Sequence, residues 1–180
     1  MHPRTKEVVD VLDSYRAALE QAVGDVPASL HGTRPAPERW SVAEVLEHLG
    51  IVEGRIGQLV LGALATARTT GIAAEVDTSP VAAMFDVTGL LDRSTTVTAS
   101  QASWPSAGLS TEAGWAALTE RRRALRDAVV AADGLALGSI VVPHARFGNL
   151  NLYQWLLFLA GHEGRHTAQI RETAAAVQPV

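Results

Sequence analysis

The sequence predicts an all-α protein: an antiparallel four-helix bundle with a long connection between the second and third helices. Four segments place apolar residues at steps of three and four, which is the period of a helix with one buried face. No segment shows a strong strand or hairpin signal, and no internal repeat of fixed period is present. Since 180 residues is the size of one domain, we expect a single domain over residues 1–180.

The first two predicted helices lie before the long connection. The first covers about residues 4–25. The second begins at a capping box formed by Ser41 and Glu44 and extends to about residue 66. The capping role explains Glu44, and the alternative is a hydrogen bond to His48 one turn later. The glycines of the second helix indicate either close packing or a locally loose segment.

The connection of residues 69–109 is unusually long for a compact domain, which indicates a function or hidden short elements. A short helix is predicted over residues 81–91, and residues 96–102 are the alternative position of a short strand. The third long helix is predicted from residue 110 or 111 to about 133. The last is predicted from Asn151 to about residue 175, with Gln154 completing a second capping box.

Composition excludes several classes of protein. Hydrophobic residues make up 47% of the chain and charged residues 19%, which is not the composition of a disordered chain. The formal net charge of −4 argues against a nucleic-acid partner. Because the chain has no cysteine, disulfides, thiolate metal sites and cysteine nucleophiles are excluded. Any metal site must therefore use His, Asp or Glu.

The N-terminal region indicates a soluble protein. Met1 leads into a charged segment rather than an apolar signal region, and no apolar run reaches the length of a membrane-spanning helix. We therefore expect a cytoplasmic protein with no membrane partner.

Three histidines lie on the apolar faces of predicted helices. His162 and His166 are four residues apart, so one helical turn separates them and both rings can bind one cation. His48 lies on the inner stripe of the second helix. Two interpretations stay open: core histidines that are hydrogen-bonded to neighbours, or ligands of one divalent ion such as Zn, Ni or Fe.

Residues 162–166 also match the H-E-x-x-H pattern, in which two histidines bind zinc and the glutamate activates water. Too few residues follow His166 for a downstream third ligand, so that ligand would come from upstream, where His48 fits. Glu163 lies about 100° from His162 around the helix. It is either a base near a bound water or a solvated charge, and the solvated charge is the favoured interpretation.

Four other residues have expected roles, three of them with an alternative. Arg122 is expected on a solvated face, with a contact to an anionic substrate group as the alternative. Trp40 is expected to pack against the first turns of the second helix. Trp104 is expected to pack within the long connection, or else to cover a metal pocket. His144 is expected in a surface loop, with a contact to the metal site or substrate as the alternative.

Three stretches, residues 38–49, 143–148 and 152–170, resemble the DinB-like superfamily. They are most similar to its branch of YfiT-like proteins, which are described as metal-dependent hydrolases, and the resemblance extends over nearly the whole chain. It implies a four-helix bundle, often dimeric, with a divalent metal bound by one histidine of the second helix and two of the last. Here those residues are His48, His162 and His166.

The resemblance also implies a class of function. Members of the superfamily include isomerases and S-transferases that use a low-molecular-weight thiol, so the expected cofactors are a divalent metal ion and such a thiol. We expect an enzyme with a small-molecule substrate, either a metal-dependent hydrolase or a thiol-dependent transferase, and a homodimer. The alternative is a non-catalytic, stress-associated module that binds a metal or a small ligand.

Overall fold

A computed structural model describes residues 1–95, 99–106 and 108–178, and helices account for most of them. The long helices are α1 (Pro3–Gly24), α2 (Val42–Thr70), α4 (Thr111–Ala131) and α5 (Leu152–Val177), with a short α3 (Thr88–Leu91) between α2 and α4. Strands β1 (Val141–His144) and β2 (Gly148–Asn151) form a small antiparallel sheet before α5. The prediction of a mostly helical chain is confirmed. No hairpin was predicted from the sequence, and this was wrong.

Both capping boxes form as predicted. The Ser41 hydroxyl accepts from the Glu44 backbone N–H at 3.3 Å, and the Glu44 carboxylate accepts from the Ser41 N–H at 2.8 Å. The side chains of Asn151 and Gln154 make the same reciprocal pair at the start of α5. The predicted helix ends are less accurate: α2 continues to Thr70 and ends at Gly71, whose φ of 85° suits a residue without Cβ.

The predicted short helix over residues 81–91 is two separate pieces. A turn of 3₁₀ helix at Ala82–Met84 precedes α3, and the Asp86 carboxylate accepts from the Thr88 N–H at 2.9 Å where the chain turns between them. The alternative strand over residues 96–102 falls partly on residues 96–98, outside the described residues. Its last residues belong to a 3₁₀ turn at Gln101–Ser103.

The hairpin escaped prediction because its strands are short and carry residues that sheets disfavour. Pro143 lies inside β1, and Asn149 pairs with it from β2. Gly148 enables the turn with a φ of 71°. The Trp155 indole N–H donates to the carbonyl of Val142 at 3.1 Å, which holds the hairpin against α5.

The long helices enclose two apolar clusters with a layer of charged side chains between them. α1 packs mainly on α5 and α2 mainly on α4, while α2 also contacts α5. One cluster includes Leu12, Ile56 and Leu125, and the other includes Leu19, Leu49 and Leu118. Between these positions on α1, α2 and α4 lie three charged residues with little exposure, Arg16, Glu53 and Arg122, and Glu163 of α5 pairs with both arginines.

The exposed Arg121 side chain of α4 lies against two glycines of α2. A Cβ added to Gly50 would lie 2.8 Å from the Arg121 guanidinium, and one added to Gly54 would lie 3.2 Å from the same side chain.

Within the described ranges, α2 is the one helix that is long and apolar enough to cross a membrane. Val45, Leu46 and Val60 of this helix are fully buried in the core, whereas Leu61 is 43% exposed. Its Glu53 is buried in ion pairs with two arginines.

Candidate metal centre

The structure brings His48 of α2 together with His162 and His166 of α5. Each ring offers one nitrogen to a group whose ligand atoms all lie within 4.8 Å of one another. The ring centroids are 4.7 Å apart for His48 and His166 and 4.6 Å apart for His162 and His166. His48 and His166 are buried and His162 is partly exposed, so a bound ion would be reached from the His162 side.

Hydrogen bonds fix the orientation of two of the three rings. The Nδ1 atom of His48 donates to the carbonyl of Ser103 at 2.7 Å, and that of His166 donates to the Gln169 side-chain oxygen at 2.8 Å. Both acceptors are oxygens without a proton, so each Nδ1 carries the hydrogen. The Nε2 atoms of His48 and His166 therefore present lone pairs, as metal ligands must.

His162 shows that the donor set fits a cation. Its Nε2 lies 3.3 Å from the Nε2 of His48, and its Nδ1 is buried without a hydrogen-bond partner among the residues described. A proton on Nδ1 would leave two lone pairs facing each other, and a proton on Nε2 would leave a buried lone pair unpaired. A divalent ion shared by both Nε2 atoms removes the repulsion between the lone pairs.

The environment keeps these rings uncharged at neutral pH. Burial lowers the pKa of His48. Burial, with the charges of His48 and Arg165 adding to it, lowers the pKa of His162 to about 3. Burial and the other two rings hold the pKa of His166 well below its ordinary value. Neutral imidazole is the form that binds a metal, so the group needs no deprotonation before it binds one.

Aromatic side chains cover the histidines on two sides. The Trp40 ring lies 4.9 Å from the His48 ring and stacks at 6.4 Å from that of His166. Its packing therefore reaches the histidine group, beyond the predicted contact with the first turns of α2. On the other side, the Phe158 ring lies 6.0 Å from that of His162.

Glu163 is not a solvated charge, so the favoured interpretation of this residue was wrong. It is 2% exposed, and its carboxylate accepts from Arg16 at 2.5 Å and from Arg122 at 2.6 Å. Glu163 is rotated by about 100° from His162 around the axis of α5, so it faces arginines of α1 and α4 rather than the histidine group. The H-E-x-x-H pattern is therefore present without a free carboxylate for water activation.

Arg122 is neither on a solvated face nor directed at a substrate, so both of its predicted roles were wrong. Its guanidinium binds Glu53 and Glu163 and donates to the carbonyl of Leu12 at 2.9 Å. Burial alone would lower its pKa, but the charges of Glu163 and Glu53 raise it, while burial raises the pKa of Glu53. Its alignment with Leu118 and Leu125 was the sequence signal for this burial.

The other residues with predicted roles, Glu44, Trp104 and His144, do not belong to the histidine group. Glu44 serves the cap and binds Arg34, while His48 bonds to Ser103 instead. The Ser103 carbonyl had no sequence signal. Trp104 is 50% exposed, and its indole N–H bonds to Ala99 within the long connection. His144 lies at the end of β1, where its ring contacts those of Phe147, Trp155 and Phe158, and so it is not a simple loop residue.

Comparison with known proteins adds one finding. The family model of the DinB superfamily matches residues 12–170, a range that extends from α1 to α5 and includes all three histidines of the group. No curated protein and no solved structure matches the chain.

Proposed function

Since the chain belongs to the DinB superfamily, we propose that it is a metal-dependent enzyme whose divalent ion is bound by His48, His162 and His166. The observation that carries the proposal is the group of three ring nitrogens within 4.8 Å of one another. Burying three polar rings side by side costs free energy unless they share a partner. Zn, Ni and Fe(II) all accept imidazole ligands.

The residues around the histidines support this role. The Ser103 carbonyl and the Gln169 side chain hold the rings of His48 and His166 with their Nε2 atoms free. Trp40 shields these two rings, and substrate reaches the group from the partly exposed His162. A divalent ion on three imidazoles keeps a position for water or substrate, and it lowers the pKa of a bound water or thiol or polarises a carbonyl.

Two reaction classes fit this site: hydrolysis, as described for the YfiT-like branch, and transfer or isomerisation with a low-molecular-weight thiol. The position of Glu163 favours the thiol reaction. Its carboxylate is engaged by Arg16 and Arg122 and so is not free to take a proton from water. A thiol is much more acidic than water, so it has less need of a protein base.

The same proposal extends to the whole molecule. The four long helices pack in the pairs α1 with α5 and α2 with α4, which supports an antiparallel four-helix bundle as in the resembled branch. We propose that residues 1–180 are one domain of this kind. It acts in the cytoplasm as a homodimer on a small-molecule substrate.

Metal analysis of the protein purified without chelator or histidine tag tests the proposal. We expect about one divalent ion per chain, and its loss in His48→Ala and His162→Ala. The control is His31→Ala, because His31 bonds to the Val26 carbonyl outside the histidine group. Absence of metal from the wild type, or equal metal in all variants, would overturn the proposal.

Activity assays then separate the functions. The metal-loaded protein is incubated with an electrophile and candidate thiols, and separately with simple esters and amides. Thiol consumption that depends on His48 supports the transferase, and ester or amide cleavage supports the hydrolase. Bound metal without turnover in either assay would identify a non-catalytic binding module.

A further inference from the structure

Five aromatic rings lie together beside the histidine group, on its His162 side. We call them the aromatic cluster: Phe85, His144, Phe147, Trp155 and Phe158. The Phe158 ring is central, 4.7 Å from the ring of His144 and 5.7 Å from that of Phe147. It is also 6.0 Å from the ring of His162, so the cluster adjoins the candidate metal ligands directly.

The cluster is not a sealed core. Phe85, His144, Phe147 and Phe158 are each partly exposed, and only Trp155 is buried. His162 is the partly exposed member of the histidine group as well. The partly exposed side of the candidate metal centre and the partly exposed aromatic rings are therefore neighbours.

A cation without a carboxylate partner lies on this cluster. The Arg146 guanidinium carbon is 5.4 Å from the Phe147 ring centroid, and within residues 1–95, 99–106 and 108–178 it pairs with no acidic group. The nearby arginines are engaged: Arg93 pairs with Glu172, and Arg165 donates to backbone carbonyls of the long connection. Arg146 is thus available to bind an anionic group of a ligand.

His144 adds a neutral donor next to Arg146. Its Nδ1 accepts from the backbone N–H groups of Arg146 at 3.0 Å and Phe147 at 3.2 Å, so the ring proton sits on Nε2. Burial and the Arg146 charge lower its pKa, which keeps the ring neutral at pH 7. In the described part of the chain nothing accepts from that Nε2–H.

We propose that the aromatic cluster, with Arg146 and His144, binds the substrate of the metal centre, and that this substrate is a small aromatic carboxylate. The inference rests on the proposed function. The ring of the ligand packs on Phe147 and Phe158, its carboxylate binds Arg146 and the His144 N–H, and its reacting atoms face His162. Ring faces, a planar guanidinium and an N–H donor are the groups that recognise such a molecule.

Calorimetric titration of the zinc-loaded protein with three probes tests this assignment. Benzoate has both features, benzamide has the ring without the charge, and acetate has the charge without the ring. We expect benzoate to bind at least about tenfold more tightly than either. Arg146→Gln should reduce benzoate affinity to that of benzamide, and Phe147→Leu should weaken both. Arg123→Gln, an exposed arginine of α4, is the matched control.

Metal content is measured on every sample, so that the two proposals fail separately. Bound zinc with equal affinity for the three probes, or with benzoate binding unchanged in Arg146→Gln, overturns the substrate assignment and leaves the metal centre in place. Tight acetate binding that survives Arg146→Gln has the same meaning, because the ion itself then holds the carboxylate. A wild type that binds no metal overturns the proposed function and the assignment with it.

Discussion

At the scale of single residues, His162 is the member of the histidine group whose surroundings are incomplete. The two other rings each have an oxygen acceptor on Nδ1, from Ser103 and Gln169, whereas the Nδ1 of His162 has none in the residues described. Its helical phase made the inward direction predictable from sequence. The lack of a hydrogen-bond partner for its Nδ1 was not predictable, because that depends on where segments outside α5 lie in the folded protein.

Acid should destabilise the metal-free protein through this residue. The pKa of His162 falls from 6.5 to about 3 on folding, so between these values the unfolded chain binds a proton that the folded chain does not. Stability is therefore lost as the pH falls, by up to about 1.4 kcal/mol per pH unit. Urea unfolding of chelator-treated protein from about pH 7 to about pH 5 measures the slope. The slope should be smaller in His162→Gln, and equal slopes would contradict the explanation.

Arg122 and Glu163 show why charged residues were misjudged. Charged side chains are exposed by default, and only complementary partners on other helices reverse that expectation. Glu53 and Arg16 supply those partners here, from α2 and α1. Periodicity places a residue on a face, but it does not show which opposite charge arrives from a distant segment.

Removal of Arg122 should therefore be costly. Arg122→Met leaves Glu53 and Glu163 buried with Arg16 alone, and we expect a loss of about 3–5 kcal/mol in the free energy of unfolding. Arg123→Met on the exposed face of α4 should change stability by less than about 0.5 kcal/mol. Adding Glu53→Gln to Arg122→Met should recover part of the loss. Denaturant unfolding of the three variants measures these differences, and similar stability of both single variants would refute the ion-pair account.

At the scale of elements, the helix starts were the most predictable features and the hairpin the least. The two capping boxes are local patterns of four residues each, so the sequence contains all the information they need. The hairpin is held by pairing between β1 and β2 and by the Trp155 bond to Val142, neither of which leaves a periodic signal. The same limit hid the Ser103 carbonyl, which reaches His48 from the long connection.

Close approach of α5 to its neighbours depends on a missing side chain. A Cβ at Gly164 would overlap the Tyr15 ring of α1 and lie 2.8 Å from Leu91 of α3. Gly164→Ala should therefore destabilise the protein, although alanine is the better helix former by about 1 kcal/mol. Gly62→Ala, where no atom lies within 4 Å, should stabilise it by up to that amount. Thermal unfolding compares the two, and stabilisation in both would disprove the packing explanation.

At the scale of the whole molecule, the candidate metal centre links helices that otherwise pack mainly on other partners. α2 packs chiefly on α4 and α5 chiefly on α1, and the three histidines join α2 to α5. An ion bound by these histidines would therefore hold the two helix pairs together, in addition to any chemical role. The all-α class followed from the apolar periodicity, whereas the pairing of helices needed the tertiary contacts.

Zinc should accordingly stabilise the folded protein. At a free concentration of 100 times its Kd, a ligand specific for the folded state adds about 2.7 kcal/mol to the free energy of unfolding. We expect a rise in Tm with zinc for the wild type and little change for His166→Ala, measured by calorimetry. An equal rise in both would show that the zinc acts at another place.

The adjacent positions of His162 and Glu163 restrict how this chain can vary in length. α5 directs the uncharged rings of His162 and His166 to one side and the paired carboxylate of Glu163 to the neighbouring side. Inserting or deleting a single residue just before Glu163 would therefore rotate the two parts of α5 by about 100° relative to each other. Such a change would move an imidazole among the arginines or a carboxylate to the imidazoles. Related sequences should therefore differ in length within the segment between α2 and α4, while the spacing inside α5 stays constant.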